Sequence, residues 1–198
     1  MKPRAEKQKL YRVITPLLLA IMMLMTSLVA MAEASKHYRI QLQSIDGEKI
    51  VPIALLEMAA EGDGWKYRLE MLEAGFGDYF LSMRPFKCIT DRVDMLCHLP
   101  YPYKIERKIN QSDVTDLEYD LLFIRRKPTD YGINPWNGLY YRLRWQGDLL
   151  VGEAHEVDLD LLAVPPDEGV LRPIQAHDLH SIDAEQLWLP KLVVQPIS

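Results

Sequence analysis

Leu139–Val157 reads LYYRLRWQGDLLVGEAHEV, and this stretch decides the fold class. Leu139, Tyr141, Leu143 and Trp145 alternate with Tyr140, Arg142, Arg144 and Gln146, the period-two pattern of a strand with one buried face. Gly147-Asp148 then supplies a two-residue turn, because glycine at its first position tolerates the positive φ such turns require. A turn of that length sets Trp145 opposite Leu150 and Tyr141 opposite Ala154 on the core face. On the other face Arg142 meets Glu153, an opposite-charge cross-strand pair.

The same alternation recurs on the N-terminal side. Tyr38, Ile40 and Leu42 alternate with polar residues, and Asp46-Gly47 turns the chain into Lys49–Met58; Pro52 there suits an edge strand or a first helical turn and PIALLEMAA is compatible with a helix, and the strand is the preferred reading. Gly62-Asp63-Gly64 turns again, and Trp65, Tyr67, Leu69 and Met71 alternate with Lys66, Arg68 and Glu70. After Gly75–Asp78, the residues Tyr79, Leu81 and Met83 continue an apolar face. Pro100–Tyr103 is extended, because proline fixes φ and restricts the residue before it, and Tyr103, Ile105, Arg107 and Ile109 face one way in a further strand. Ser112 suits the N-cap of a single helical turn within Asn110–Asp116. Leu117–Arg126 is apolar on both faces, as in a strand covered on both sides.

Beyond the central hairpin the apolar parity passes from Leu150 and Ala154 to Val157, Leu159 and Leu161, which predicts a bulge or a bend near His155–Val157. A helical turn is expected around Ala184–Leu187 and a last strand at Leu192–Val194, within a Pro- and acid-rich region that begins near residue 165. Short strands with turn signals at roughly ten-residue spacing predict an all-β antiparallel barrel or sandwich of about eight to ten strands.

Residues 1–34 stand apart from this pattern. Lys2, Arg4, Lys7, Lys9 and Arg12 form a basic leader, an apolar run follows from Val13 to Ala32, and Ala30-Met31-Ala32 and Ala32-Glu33-Ala34 offer small-residue cleavage sites. That order predicts a signal peptide, ending at 32 or 34, and export to the periplasm. The alternative is an uncleaved inner-membrane anchor facing the periplasm, since about 20 apolar residues also span a bilayer. Residues 35–198 then form one β-rich domain. Losing residues 1–32 removes five basic groups and one acidic group, which takes the net charge from −5 to −9. A charge of that sign repels phosphate backbones and argues against nucleic acid as a partner; a membrane contact is expected only if the leader is retained.

The cysteines are Cys88 and Cys97. In an oxidising compartment this spacing, bounded by Pro85 and Pro100, reads as one disulfide closing a short loop or hairpin. A redox pair usually keeps two residues between its sulfurs, and His98 alone does not complete a metal site.

Three places are able to carry function. The loop Lys127–Gly138, KPTDYGINPWNG, sets aromatic rings beside amides and a carboxylate, a mixture suited to the apolar faces and hydroxyls of a sugar. Its candidate ligand-binding residues are Asp130, Tyr131, Asn134, Trp136 and Asn137. Read purely as architecture, the same loop is a connection in which Trp136 caps the core. The second place gathers Glu153, His155, Glu156, Asp158 and Asp160 with His177, Asp178 and His180, an acid–base or metal combination that lacks recognised ligand spacing; Asp158 and Asp160 fall on one solvent face if the strand continues. The third is the interior, which in a closed barrel is able to hold an apolar ligand. No nucleophile elbow, phosphate-binding loop or dinucleotide turn is present.

The sequence therefore reads best as a non-enzymatic exported protein that binds a small ligand, sugar or lipid, or an envelope protein, through loops on a β scaffold. It assigns no catalytic residue, no metal ligand and no cofactor. A periplasmic hydrolase or metal-dependent enzyme built on Glu153/His155 and His177/His180 is the second class, and a structural envelope component the third.

Overall fold

The computed structural model describes residues 35–81, 85–130, 132 and 134–197. The expected signal segment lies outside the described residues, as do Met83 and Tyr131. Among the described residues twelve strands follow in chain order: β1 Lys36–Gln43, β2 Ile50–Glu61, β3 Gly64–Met71, β4 Gly77–Phe80, β5 Pro85–Thr90, β6 Met95–His98, β7 Lys108–Ile109, β8 Phe123–Arg126, β9 Gly138–Gln146, β10 Leu149–Val157, β11 His180–Ser181 and β12 Lys191–Pro196. Among the described residues one α-helix, α1, spans Thr115–Asp120. The strands form a single antiparallel sheet in the order β4-β5-β6-β8-β9-β10-β12-β1-β2-β3-β7, with β11 paired to β10 outside that path.

The all-β antiparallel class is as the sequence predicts, but the sheet is not closed. Among the described residues β4 and β7 are its two ends, so the architecture is sandwich-like and the barrel alternative falls. The strand number exceeds eight to ten partly because β7 and β11 are two-residue bridges that carry too little sequence to show a period.

The central hairpin has the predicted register. Trp145 pairs Leu150, Tyr141 pairs Ala154 and Arg142 pairs Glu153, and Gly147 turns with φ of 63°. Arg142 and Glu153 stand opposite, yet their charged ends do not come within the 4.0 Å of an ion pair, as exposed side chains prefer water to a fixed geometry. In β2, Pro52 lies beyond Ala54, where the pairing with β3 stops, and beside a register shift against Ile40 and Gln41. Its missing N–H therefore falls at an irregularity of the ladder, where proline is tolerated. Cys88 and Cys97 sit directly opposite one another on β5 and β6 and are joined by a disulfide, as predicted for a hairpin.

Four local expectations are corrected. The strand expected over Leu117–Arg126 is α1 followed by the four residues of β8; six residues make fewer than two helical turns, and alternating apolar residues there satisfy either period. The helix begins after Val114, not Ser112, because the Asn110 side chain captures the backbone N–H groups of Ser112 and Asp113 at 2.8 and 2.9 Å in a local turn. The strand expected from Tyr103 shrinks to Lys108–Ile109, since the preceding tyrosines reach away from the sheet: Tyr101 Oη donates to Leu171 O and Tyr103 Oη to Leu162 O, each at 2.8 Å. No bulge interrupts β10, whose pairing with β9 runs unbroken to Val157. The parity shifts there because a second core covers the other face.

That second core holds Tyr101, Tyr119, Leu122, Ile124, Tyr140 and Val157, with Leu159, Leu162 and Ile174 from the later chain. The principal core is built on Tyr38, Ile40, Leu42, Leu56, Met58, Tyr141, Leu150 and Val194. Helix α1 belongs to both, with Leu117 and the C-cap residue Leu121 in the principal core and Tyr119 in the second. Burial on two sides explains why its acids are buried as well: Asp116 is 0% exposed, Glu118 6% and Asp120 7%.

Candidate functional site

A buried carboxylate requires partners, and each acid of α1 has them. Asp116 accepts from Lys108 N at 3.0 Å and from Arg172 Nε at 2.7 Å. Asp120 accepts from Tyr67 Oη at 2.9 Å and Arg107 Nε at 3.0 Å. Glu118 accepts from the Tyr140 hydroxyl and from Leu143 N at 2.6 Å. Burial nevertheless raises the Glu118 pKa, outweighing the lowering effect of those two bonds. Burial, reinforced by the neighbouring carboxylates, likewise raises the hydroxyl pKa of Tyr67 and Tyr140. This set ties α1 to β3, β7, β9 and the later chain. The sequence reading missed it, although its signal is visible: three acids at two-residue spacing inside the apolar run from Val114 to Ile124.

The loop Lys127–Gly138 borders a cleft of about 230 Å³. The cleft exists because β8 and β9 share only two paired positions, Phe123 with Leu139 and Ile124 with Gly138; past Ile124 the strands part and the loop spans the gap. Gly138 forms part of its wall, and the backbone passes so close to the next layer that a Cβ here would lie 2.5 Å from both Leu159 Cγ and Val157 O. Lys127 N donates to Asp130 Oδ2 at 2.9 Å, and Asp130 N returns a bond to Lys127 O at 3.0 Å. Asn134 caps a 3-10 turn over Pro135–Asn137 by accepting from Trp136 N at 3.2 Å. Arg126 anchors the loop through Nη1, which donates to Gly132 O at 2.8 Å.

Of the predicted ligand-binding residues, Asp130 and Asn137 line this cleft together, alongside Arg125, Arg126 and Lys127. Asn134 has a capping role, and Trp136 is 68% exposed rather than closed over the core as a purely architectural reading requires. Asp94 and Glu156 add acidic groups to the walls. Asp94 is held by Arg125, Nε to Oδ1 at 3.1 Å and Nη2 to Oδ2 at 3.2 Å.

The acid–histidine region comes together only in part. The pairing of β11 with β10 sets His180 beside Glu156 and Ser181 beside His155, while His177 lies 3.4 Å from Asp178. His155 Nδ1 is bonded to Glu153 O at 3.1 Å. Asp158 and Asp160 do not share a strand face: the strand ends at Val157 and Asp158 caps a 3-10 turn over Leu159–Leu162, accepting from Asp160 N at 2.9 Å. Among the described residues no group of three or more His, Cys, Asp or Glu side chains is placed to hold a metal ion. The third candidate, a barrel interior, loses its basis because the sheet is open.

A wider recess of about 550 Å³ lies over β1–β3 among His37, Leu55, Glu57, Arg68 and Glu70. These five side chains are exposed ones of the sheet's surface, and the buried Tyr38 and Leu56 contribute to the lining. The smaller cleft differs in enclosing a buried charged group, Arg126, 7% exposed. No protein-family model, no curated protein and no solved structure matches this chain.

Proposed function

We propose that this is an exported, non-enzymatic binding protein that takes a small polar ligand in the cleft beside Lys127–Gly138. The observation that carries the reading is the convergence of Asp130, Asn137 and Arg126 on one cleft, with the exposed Trp136 ring adjacent in sequence to Asn137. Rigid strands on both sides hold these groups, which is how binding loops are commonly built on β scaffolds. At about 230 Å³ the cleft is below the roughly 300–1,000 Å³ of pockets for drug-sized molecules, so it suits a single sugar-sized residue. The buried disulfide and the basic-then-apolar leader support function in an oxidising compartment, the periplasm.

Native mass spectrometry of the protein purified from its own source, before and after denaturation, tests the reading. A retained small molecule that is lost from Asn137→Ala supports it. The same retained mass in wild type, Asn137→Ala and Trp136→Ala places the ligand elsewhere. A protein that arrives empty and shows no saturable tryptophan fluorescence change with any monosaccharide in a broad panel counts against a sugar-sized ligand.

A further inference from the structure

Resting on that reading of the cleft, we propose that its ligand is a small hydroxylated acid whose carboxylate binds the guanidinium of Arg126. Buried charge has to be compensated, and most of the buried ions here are. Asp94 is paired with Arg125, Asp116 with Arg172 and Asp120 with Arg107. Glu118 has no ion-pair partner, but a carboxyl group can take up a proton. Arginine has no such escape, because its guanidinium stays charged at any pH a folded protein meets.

Arg126 is 7% exposed, and among the described residues no carboxylate comes within 4.0 Å of it. Its described side-chain bonds are Nη1 to Gly132 O at 2.8 Å and Nε to Lys127 O at 3.4 Å, both to neutral carbonyls. Nη2 has no described partner, yet no buried side-chain nitrogen is left unsatisfied. Arg126 also forms part of the cleft lining. A guanidinium at a cleft wall is chemically matched to the planar, two-oxygen geometry of a carboxylate.

The other charges choose among anions. Arg125 and Asp94 cancel, leaving Arg126 and Lys127 against Asp130 and Glu156 on the cleft walls. One added negative charge is tolerated there, whereas a dianion such as phosphate meets two carboxylates. The Asp130 carboxylate and the Asn137 amide are suited to hydroxyl groups on the rest of the ligand, since an ionised Asp acts only as an acceptor and Asn both donates and accepts.

The test compares D-glucuronate, D-glucose, acetate and inorganic phosphate by calorimetry and thermal shift on the whole protein at matched ionic strength. Glucuronate should bind saturably, with glucose at least tenfold weaker. Arg126→Lys, which keeps the charge and loses the fork, should weaken glucuronate at least tenfold. Equal binding of glucose and glucuronate overturns the role of Arg126 while leaving the cleft itself a sugar site. Tighter binding of phosphate than of glucuronate overturns the carboxylate assignment, and so does a wild-type protein that responds to none of the acids. If Arg126→Lys fails to fold, Glu156→Gln decides, because Glu156 is exposed and its removal relieves repulsion. It should tighten glucuronate about threefold, and unchanged or weaker binding overturns the proposal.

Discussion

Asp116→Ala is the sharpest probe of how the chain after the central hairpin is held. The carboxylate is 0% exposed and accepts from three groups: Lys108 N, Arg172 Nε and, at 2.6 Å, Arg172 Nη2. Removing one partner of a buried ion pair costs about 3–5 kcal/mol. The lower end applies, because Arg172 keeps Asp113 at 2.6 Å and its side chain is 31% exposed, so it rehydrates in part. The orphaned Lys108 N–H prevents the cost from falling much further, since a buried unsatisfied donor alone costs about 1–3 kcal/mol. About 3 kcal/mol corresponds to a fall in Tm of about 6–12 °C for a domain of this size. Urea denaturation followed by tryptophan fluorescence measures it directly. In a double-mutant cycle with Arg172→Met, the coupling should exceed about 1 kcal/mol. A melting point within 2 °C of wild type, or additive losses in the cycle, would refute the assignment of Asp116 as the tie between α1, β7 and the later chain.

Reducing the Cys88–Cys97 bridge, whose cysteines are 9 positions apart, should cost about 2.6 kcal/mol in the chain-entropy account, or about 5–10 °C in Tm; identical melts with and without reductant contradict this. Trp145→Ala should cost about 3 kcal/mol, because the half-buried ring lies 5.6 Å from Trp65 and its Nε1 donates to Asn110 O at 3.0 Å. Arg142→Ala should cost under about 1 kcal/mol, and the opposite ranking in chemical denaturation would defeat both arguments. Burial raises the Glu118 pKa above its unfolded value, so the stability this group contributes is present below the unfolded pKa and lost as pH rises through the folded one. Across that window wild type should therefore lose stability relative to Glu118→Gln, and a difference that does not change with pH would show that Glu118 does not titrate there.

Strands with one wet face were readable because polarity marks that face at every second residue. Leu139–Val157 shows this down to its register, and β1 and β3 show it in their alternation. The reading failed where both faces are dry. Along Leu117–Ile124 no solvent face exists, and the acids that normally mark one are buried against Arg107, Arg172 and Tyr140, so a short helix and a two-sided strand looked alike. Val157 misled for the same reason: its parity records the second core, not a change in the strand. The loop of the candidate site was locatable from its prolines, glycines and aromatic residues. Arg126 was not, because nothing in the run FIRRK distinguishes an arginine that is buried from neighbours that are half-buried or exposed.

In the sheet order, β12 lies between β10 and β1, pairing Val194 with Leu150 on one side and with Ile40 on the other. β12, the last of the described strands, is thus the seam that joins β1–β3 to the block running from β4 to β10 in the sheet order. During vectorial synthesis, or passage end-first through a narrow channel, β1 emerges early and waits without that neighbour until more than 140 further residues have followed. Pairings so distant in sequence form slowly, and an edge left open meanwhile invites the wrong partner. β1 is therefore long exposed to misassembly, and the arrival of β12 ends its exposure.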